Sequence, residues 1–366
     1  MADATCAGCG CLCDDIEVTE GRPVRTCSLG DTWFAERSGD RPPVARVDGL
    51  AVSVDEAADA AAAILSRARA PLVTGLGQTS VEAQRRAVAV AEAAGAVIDV
   101  GAAAGALASI GVSTATLGEI RDRAELVVVW RADPAVTHPR LLERLRLDPA
   151  ALVVVDAQRT ATAGAAGEFV ELEAGRDYEA LSALRAPDGA SRLAERLHGA
   201  GHVAVIHGAL GELAALALAE LVRDLSRDRH AVTLRLREDG NARGAEDVLA
   251  WQTGFAAPVS FARGHPRESP GAAELLERGD VDAALVVAAD PLQELPRLRE
   301  LPLVVADTRV TATSEAARVA FATAADGIEV PGTAHRMDGV PVPLRAPLAA
   351  ERPSVEDVLA AIEERL

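Results

Sequence analysis

Short apolar runs alternate along this chain with longer stretches rich in Ala, Leu, Glu and Arg that have helical spacing. The apolar runs lie at 72–74, 96–99, 126–130, 152–156, 203–206, 232–236, 284–288 and 303–307. Strands that are apolar on both faces and are separated by helices indicate a mostly parallel sheet that is covered on both sides. The predicted fold class is therefore α/β and Rossmann-like, with mostly parallel, doubly wound sheets.

Local signals fix where several elements begin and where the chain divides. Ser53 and Glu56 have the spacing of a capping box, which predicts a helix from there to about Arg69, before Pro71. A last amphipathic helix is expected at 355–366. Proline-rich stretches interrupt the pattern: 41–50 is predicted to be a linker or edge segment, 240–270 a loop region, and 331–347 a second break. The predicted regions are a Cys-rich segment with linker (1–50), a first α/β region (51–150), a Rossmann-like domain (151–330) and a C-terminal segment with its helix (331–366).

Several predicted strands end in aspartate. Asp99, Asp133, Asp156, Asp290 and Asp307 lie in these strand-end loops. Ligands of doubly wound sheets bind at the carboxyl ends of strands, although an aspartate there often only caps the next helix. The string at 155–160 (Val-Asp-Ala-Gln-Arg-Thr) is echoed at 306–311 (Ala-Asp-Thr-Arg-Val-Thr), which indicates two related halves.

Composition excludes some functions. The 366 residues are 49% hydrophobic but include only five Phe, three Trp and one Tyr, so Ala, Val and Leu must build the core. The net charge is -18, which disfavours nucleic acid as a partner. All basic residues are Arg, which excludes lysine-dependent chemistry. No apolar run is long enough to span a membrane, and the N-terminus does not resemble a signal peptide. A cytoplasmic location is predicted.

All five cysteines lie within the first 27 residues. Cys6, Cys9, Cys13 and Cys27 have the spacing of an iron-sulfur ligand set, in which three close thiolates and a distant fourth enclose a cluster. A tetrahedral zinc site would use the same thiolates, so the spacing leaves both open. Cys11 is the spare. The sequence therefore predicts a small metal-binding segment at the N-terminus.

These strings resemble a known family. The head Cys6-Ala-Gly-Cys9-Gly-Cys-Leu-Cys13-Asp-Asp-Ile, with Thr-Cys27-Ser-Leu-Gly, is similar to the B subunits of formylmethanofuran dehydrogenases, including those of the bacterial formyltransferase/hydrolase complexes of one-carbon metabolism. The likeness continues at 116–120 (Thr-Leu-Gly-Glu-Ile), 137–140 (Thr-His-Pro-Arg), 175–178 (Gly-Arg-Asp-Tyr), 251–255 (Trp-Gln-Thr-Gly-Phe), 263–267 (Arg-Gly-His-Pro-Arg) and 332–341 (Gly-Thr-Ala-His-Arg-Met-Asp-Gly-Val-Pro).

The resemblance implies a four-iron four-sulfur cluster and, in redox members, a tungsten or molybdenum bis-pterin guanine dinucleotide at which carbon dioxide and formate interconvert. It also implies A-, C- and D-type partner subunits, with zinc hydrolytic chemistry in another subunit. The family's metal ligand is a Cys followed by His, in the loop after the strand that ends here at Asp99. The segment 263–267 supplies an active-site Arg in redox relatives, so Arg263 and Arg267 are candidate remnants.

This sequence departs from that pattern. Residues 100–111 contain neither Cys nor His, Ser109 is a poor substitute, and no cysteine follows Cys27. Arg131 stands where the family has a glycine. These departures argue against tungsten, molybdenum and pterin, and the leading interpretation is a non-redox structural subunit of a formyltransferase/hydrolase complex without catalytic residues of its own. The alternatives are an active tungsten or molybdenum subunit and an iron-sulfur or zinc relay subunit. His138, His265 and His335 are expected to make loop hydrogen bonds.

Overall fold

The computed structural model describes residues 2–38, 42–101, 111–186, 191–256 and 258–366, which fall into two compact units. The first unit combines Met1–Ala103, Asp239–Arg336 and Pro341–Leu366, and the second combines Ala104–Glu238 with Met337–Val340. The regions predicted from the sequence (1–50, 51–150, 151–330 and 331–366) are consecutive segments, whereas the first unit is assembled from three separate ones. The chain leaves the first unit after residue 103 and re-enters it at Asp239. A division at proline-rich linkers does not predict this return.

Strands and helices alternate through most of the chain. The strands are β1 (Ala2–Cys6), β2 (Cys13–Thr19), β3 (Arg22–Val24), β4 (Ala45–Val47), β5 (Leu50–Ala51), β6 (Pro71–Gly75), β7 (Val97–Asp99), β8 (Leu126–Trp130), β9 (Leu152–Asp156), β10 (Glu168–Glu171), β11 (His202–His207), β12 (His230–Arg235), β13 (Val259–Ser260), β14 (Arg267–Glu268), β15 (Ala283–Val287), β16 (Leu303–Asp307), β17 (Val319–Ala322), β18 (Gly332–His335) and β19 (Pro341–Leu344). The α-helices are α1 (Ser28–Ser38), α2 (Val54–Arg67), α3 (Val81–Ala93), α4 (Leu117–Arg123), α5 (Pro134–Thr137), α6 (Leu141–Leu145), α7 (Ala161–Ala165), α8 (Asp177–Ala183), α9 (Arg192–Gly199), α10 (Glu212–Leu225), α11 (Ala242–Thr253), α12 (Ala272–Arg278), α13 (Ala312–Ala316) and α14 (Val355–Glu363). The predicted α/β class is confirmed.

The second unit is built on a five-stranded sheet in the order β10-β9-β8-β11-β12. All four strand pairs are parallel. Every residue of β8 and β11 is buried, as strands covered on both faces require. Numbered along the chain, the order is 3-2-1-4-5, which is the order of the first five strands in the common dinucleotide-binding sheet.

The first unit contains a nine-stranded mixed sheet in the order β14-β13-β7-β6-β15-β16-β17-β4-β5. Its central strands β7, β6, β15, β16 and β17 are parallel, and the short strands at both edges are antiparallel. The stretch 41–50, predicted as a linker or edge segment, supplies β4 and the first residue of the edge strand β5. The stretch 240–270 was predicted as a loop region, and this was wrong for its first part because α11 fills it.

The five central strands of the nine-stranded sheet have the same spatial order as the five strands of the second unit. A pair of hydrogen bonds from threonine to aspartate also recurs in both units. The central strands of the first unit run β17-β16-β15-β6-β7, which matches the second unit if β6 and β7 are moved to the end of the chain. Asp133 Oδ1 accepts hydrogen bonds from Thr162 N (2.8 Å) and Thr162 Oγ1 (2.5 Å). Asp290 Oδ1 accepts the equivalent bonds from Thr313 N (2.9 Å) and Thr313 Oγ1 (2.5 Å). The two related halves that the short echo indicated are therefore present, in permuted order.

Small side chains build the core of the first unit. Ala57, Ala61, Ala87 and Ala91 of α2 and α3 are fully buried in one cluster with apolar residues of α14. This agrees with the prediction that Ala, Val and Leu form the core. The capping box at Ser53 and Glu56 is also confirmed at the start of α2, since the two residues exchange hydrogen bonds. Among the described residues, no helix has the length and apolar character needed to cross a membrane.

We predict that Asp133→Ala lowers the free energy of unfolding by about 1 to 3 kcal/mol, because it leaves the amide and hydroxyl of the fully buried Thr162 without their acceptor. Chemical denaturation followed by circular dichroism measures the change. Asp228→Ala, at an exposed aspartate of the same unit, is the matched control and is expected to leave stability unchanged. If the effects of Asp133→Ala and Thr162→Val on the free energy of unfolding were fully additive in the double variant, the Asp133–Thr162 hydrogen bonds would not couple the two residues.

Candidate metal centre

One hairpin and the start of one helix present four of the cysteines. Cys6 ends β1 and Cys13 begins β2, and the two residues are paired across this antiparallel hairpin. Cys9 lies in the connecting loop, where its carbonyl accepts a hydrogen bond from Leu12 N at 3.2 Å, and Leu12 has a φ of 40°. Cys27 directly precedes helix α1, and its carbonyl accepts the first hydrogen bond of that helix, from Asp31 N at 2.8 Å. The thiols therefore come from a hairpin and from the start of a helix.

The four predicted ligands, Cys6, Cys9, Cys13 and Cys27, lie close together, and we call this cluster the thiol group. Cys6, Cys9 and Cys13 are buried and Cys27 is partly exposed; none of the five cysteines is in a disulfide. Burial raises the pKa of the Cys6 thiol to about 12, against a hydrogen bond from the backbone of Gly8. Negative charge on Cys13, Cys9 and Cys27 raises this pKa further. A cation among the sulfurs would relieve both effects, because it stabilises thiolates.

Helix α1 packs directly on the Cys6 thiol. A Cβ atom at Gly30 would lie 3.1 Å from Cys6 Sγ and 3.1 Å from Thr26 Cβ, closer than ordinary contact. A Cβ atom at Gly8, in the hairpin loop, would lie 3.1 Å from Cβ of Trp33 on the same helix. A methyl group at either position would force its neighbours to shift by a few tenths of an ångström, so both close approaches favour glycine.

A buried arginine faces the thiol group. Arg37, on α1, is 5% exposed, and its pKa is lowered to about 10 by burial and by the neighbouring charge of Arg309. Asp307, Glu36 and Cys6 act in the opposite direction, so the guanidinium remains a cation at neutral pH. Its Nη1 donates to the Trp33 carbonyl at 3.2 Å. Sequence reasoning missed Arg37; the only available signal was its position one helical turn after Trp33.

The arginines predicted as catalytic remnants lie elsewhere. Arg263 and Arg267 are exposed, the second on the edge strand β14. Arg267 Nε donates to His265 Nε2 at 2.9 Å, and His265 Nδ1 lies 3.1 Å from the Arg263 carbonyl. The structure thus groups these three residues at the surface of the loop, and their role stays a prediction.

His138 and His335 make hydrogen bonds to residues far away in the sequence, and only His138 lies outside the strands and helices as expected. His138 is fully buried, and its Nε2 lies 2.8 Å from the Arg237 carbonyl. Burial lowers the pKa of His138. His335 lies on β18 rather than in a loop, and its Nδ1 is 2.8 Å from Asp247 Oδ2.

The aspartates at the strand ends mostly bind backbone amides. Asp99 accepts from the amides of Gly101 and Ala272. Asp133 accepts from the first amides of α7, and Asp290 from Thr313 of α13. Asp290 thus binds the start of the next α-helix along the chain, as the capping interpretation supposes. Asp133 does not: it makes no side-chain cap on α5, which it directly precedes, and binds the start of α7 instead. Asp99 likewise binds the start of the distant helix α12.

Arg131 closes the carboxyl end of the sheet in the second unit with its own side chain. It has a φ of 49°, a conformation that favours glycine, and its Nε lies 2.7 Å from Asp177 Oδ1. Its Nη atoms donate to the carbonyls of Leu172 (2.9 Å) and Glu173 (2.7 Å). The guanidinium is thus fully engaged within the unit. Residues 102–110 of the loop after β7, including Ser109, lie outside the described residues.

The fold and the thiol group together define a class of protein: an α/β chain of two structurally related units, with a buried set of cysteines in its N-terminal hairpin. The chain belongs to the family of formylmethanofuran dehydrogenase B subunits. It is 32% identical to the B subunit of the tungsten-containing formylmethanofuran dehydrogenase 2 of Methanocaldococcus jannaschii, over 94% of this chain and 93% of that protein. Identity to the B subunit of the same name from Methanococcus maripaludis is 30%, over 97% of this chain and 95% of that protein.

Two comparisons concern a bacterial complex. The B subunit of the formyltransferase/hydrolase complex Fhc from Methylorubrum extorquens is 29% identical, over 67% of this chain and 74% of that protein. A chain in the crystal structure of the FhcABCD complex from the same organism, determined with methylofuran, superposes with a TM-score of 0.73 at 28% identity, covering 88% of this chain and 98% of that chain. No protein-family model matches.

We predict that Gly30→Ala destabilises the protein by about 1 to 3 kcal/mol, because the added methyl would press on Cys6 Sγ and Thr26 in a packed interior. Thermal and chemical denaturation measure the effect. The matched control is Gly164→Ala in α7, where nothing lies within 4 Å of the added carbon; it should be neutral or stabilising by up to about 1 kcal/mol. Equal stability of the two variants would mean that α1 does not rest on the thiol.

Proposed function

We propose that this chain is the B subunit of a formylmethanofuran dehydrogenase-type complex in one-carbon metabolism, and that it is a non-redox structural subunit of the formyltransferase/hydrolase kind. Such a complex releases formate from a formyl carrier, with the hydrolytic zinc chemistry in an A-type subunit. The observation that carries the proposal is family membership over nearly the whole chain combined with a sequence that has no cysteine after Cys27. Its partners are A-, C- and D-type subunits, which the similarity to a chain of FhcABCD supports.

The residues present do not fit a tungsten or molybdenum bis-pterin guanine dinucleotide. A soft metal that takes a protein thiolate finds none after Cys27, because all five cysteines lie within the first 27 residues. At the strand end of the second unit, Arg131 holds a left-handed conformation with a large side chain, and Asp177 binds that side chain. We therefore assign no step to this group. No residue of this chain is proposed to be catalytic, and Arg263 and Arg267 are not proposed to act on a substrate.

The donor set present fits a four-iron four-sulfur cluster, with Cys6, Cys9, Cys13 and Cys27 as ligands. Three of the thiols come from one hairpin and the fourth from the start of α1, and the charges of Cys13, Cys9 and Cys27 all act on Cys6. Three close cysteines with a distant fourth are the spacing of an iron-sulfur ligand set, which is why we propose the cluster first and zinc second. When bound, such a cluster stores and transfers one electron. The nearby cation of Arg37 would stabilise the negative charge of the thiolates.

A second candidate is an active subunit that interconverts carbon dioxide and formate at tungsten or molybdenum. The observation favouring it is that both relatives named as tungsten-containing match more than nine-tenths of this chain. An iron-sulfur or zinc relay without other chemistry is the third alternative. The metal content of the complex separates the three. Cytoplasmic location stays a prediction.

We predict that the complex, purified without oxygen, contains about four iron atoms per copy of this chain and no stoichiometric tungsten or molybdenum. It should not oxidise formate with a dye acceptor. Elemental analysis and the dye assay measure these properties. Stoichiometric tungsten together with formate oxidation would overturn the structural role and establish the second candidate.

We predict that Cys13→Ser removes most of the iron while the complex still assembles, since this thiol is one of the four proposed ligands. Iron analysis and size-exclusion chromatography follow the two properties separately. Cys11→Ala is the matched control, because Cys11 lies in the same hairpin and is 1% exposed but is not a proposed ligand. If both variants kept their iron, the ligand assignment would be wrong. If Cys13→Ser lost one equivalent of zinc and no iron, the site would be a zinc site and not an iron-sulfur site.

A further inference from the structure

A second group of metal-binding side chains lies in the second unit, far along the chain from the cysteines. Glu119, His202 and His230 each offer one ligand atom, and these atoms all lie within 4.8 Å of one another. It is the one such group of three His, Cys, Asp or Glu residues in the part of the chain that the structure describes. None of its three residues belongs to the thiol group or to the loops at the carboxyl ends of the strands.

The backbone holds these residues in place. His202 and His230 are the first residues of β11 and β12 and are directly paired in the parallel register. The amide of His230 donates to the Gly201 carbonyl, and the carbonyl of His202 accepts from Glu125 N, both at 2.9 Å. Glu119 lies in the first turn of α4, where its amide donates to Thr116 Oγ1 at 3.1 Å. The group therefore lies at the amino ends of the strands, opposite the end where such sheets bind nucleotides.

The side chains face one another. His230 Nε2 lies 3.0 Å from Glu119 Oε1, and the two imidazole rings have centroids 4.4 Å apart. His202 is 7% exposed, and its Nε2 is buried without a hydrogen-bond partner among the described residues. A buried ring nitrogen without a partner is unfavourable, and an ion that accepted its lone pair would remove that cost.

The three side chains also match a known ligand chemistry. Two imidazoles and one carboxylate form a ligand set that zinc commonly uses in proteins, with water in the fourth position. The partnerless Nε2 of His202 and the Oε1 of Glu119 would supply one ligand atom each, and His230 would supply the third.

We propose that Glu119, His202 and His230 bind a divalent transition-metal ion, zinc by preference. The side chain of His230 is 56% exposed, so the ion is reached from solvent and keeps an open coordination position. Bound there, it joins β11, β12 and α4 at one edge of the parallel sheet. Because its ligands are nitrogen and oxygen, its chemistry is separate from that of the sulfur ligands in the N-terminal hairpin.

The test is zinc binding to the full-length chain whose iron content has been measured, so that the cysteines are accounted for. After equilibrium dialysis against zinc, the unaltered protein should hold one more zinc equivalent than His230→Gln. Glu119→Gln should weaken this binding by about 10-fold or more. His265→Gln, at an exposed histidine outside the group, is the matched control and should keep the equivalent. His230 is largely exposed, so its variant is expected to fold.

Two further readouts guard against binding at the cysteines. Cobalt in the proposed site should give visible d–d bands without a thiolate-to-cobalt charge-transfer band, and His230→Gln should lose them. Zinc should raise the thermal midpoint of the unaltered protein and of His265→Gln, but not of His230→Gln. Equal zinc content in the unaltered protein and His230→Gln, or cobalt spectra that change only in cysteine variants, would overturn the proposal.

Discussion

Helix α1 rests directly on the Cys6 thiol, and the arrangement of the N-terminal hairpin depends on that contact. Gly30 allows it, since any side chain there would meet Cys6 Sγ and Thr26. The helix begins after Cys27, so its position also fixes the fourth thiol relative to the hairpin. Trp33 and Arg37 follow on the same helix, and the arginine stacks over the tryptophan ring at 4.9 Å from its centroid. One short helix thus packs on the Cys6 thiol and carries a buried cation whose charge acts on that thiol.

The two units show how one scaffold carries two different strand ends. Arg131 and Ala288 occupy equivalent positions after β8 and β15, and both have a φ of 49°. Each amide donates across the sheet to the next strand, at Val155 O (3.0 Å) and Ala306 O (2.8 Å). The shared backbone strain therefore belongs to the scaffold. The side chains differ. Arg131 forms an ion pair with Asp177 at its strand end, whereas the methyl group of Ala288 can form no ion pair.

Much of this fold was predictable because the signals are local. The strands Leu126–Trp130, Leu152–Asp156 and Leu303–Asp307 coincide with their predicted bounds, since each is a short apolar run that ends at a polar loop. The permuted order of the first unit was not predictable, because strand order depends on pairings between distant segments. Helix α11 was missed inside a proline-rich stretch, although the prolines lie after its end at Thr253.

The two candidate metal groups also differ in how far the sequence predicts them. Four cysteines within 27 residues are visible as a spacing pattern, because a hairpin and one helix start are enough to bring them together. Glu119, His202 and His230 are separated by 83 and 28 positions, and only the parallel pairing of β11 with β12 and the placement of α4 unite them. No periodicity in the sequence carries that information. Thiolates bind zinc as well as iron-sulfur clusters, and imidazole with carboxylate also binds zinc, so a zinc ion in this chain is assigned to one group or the other only through variants of that group's own ligands.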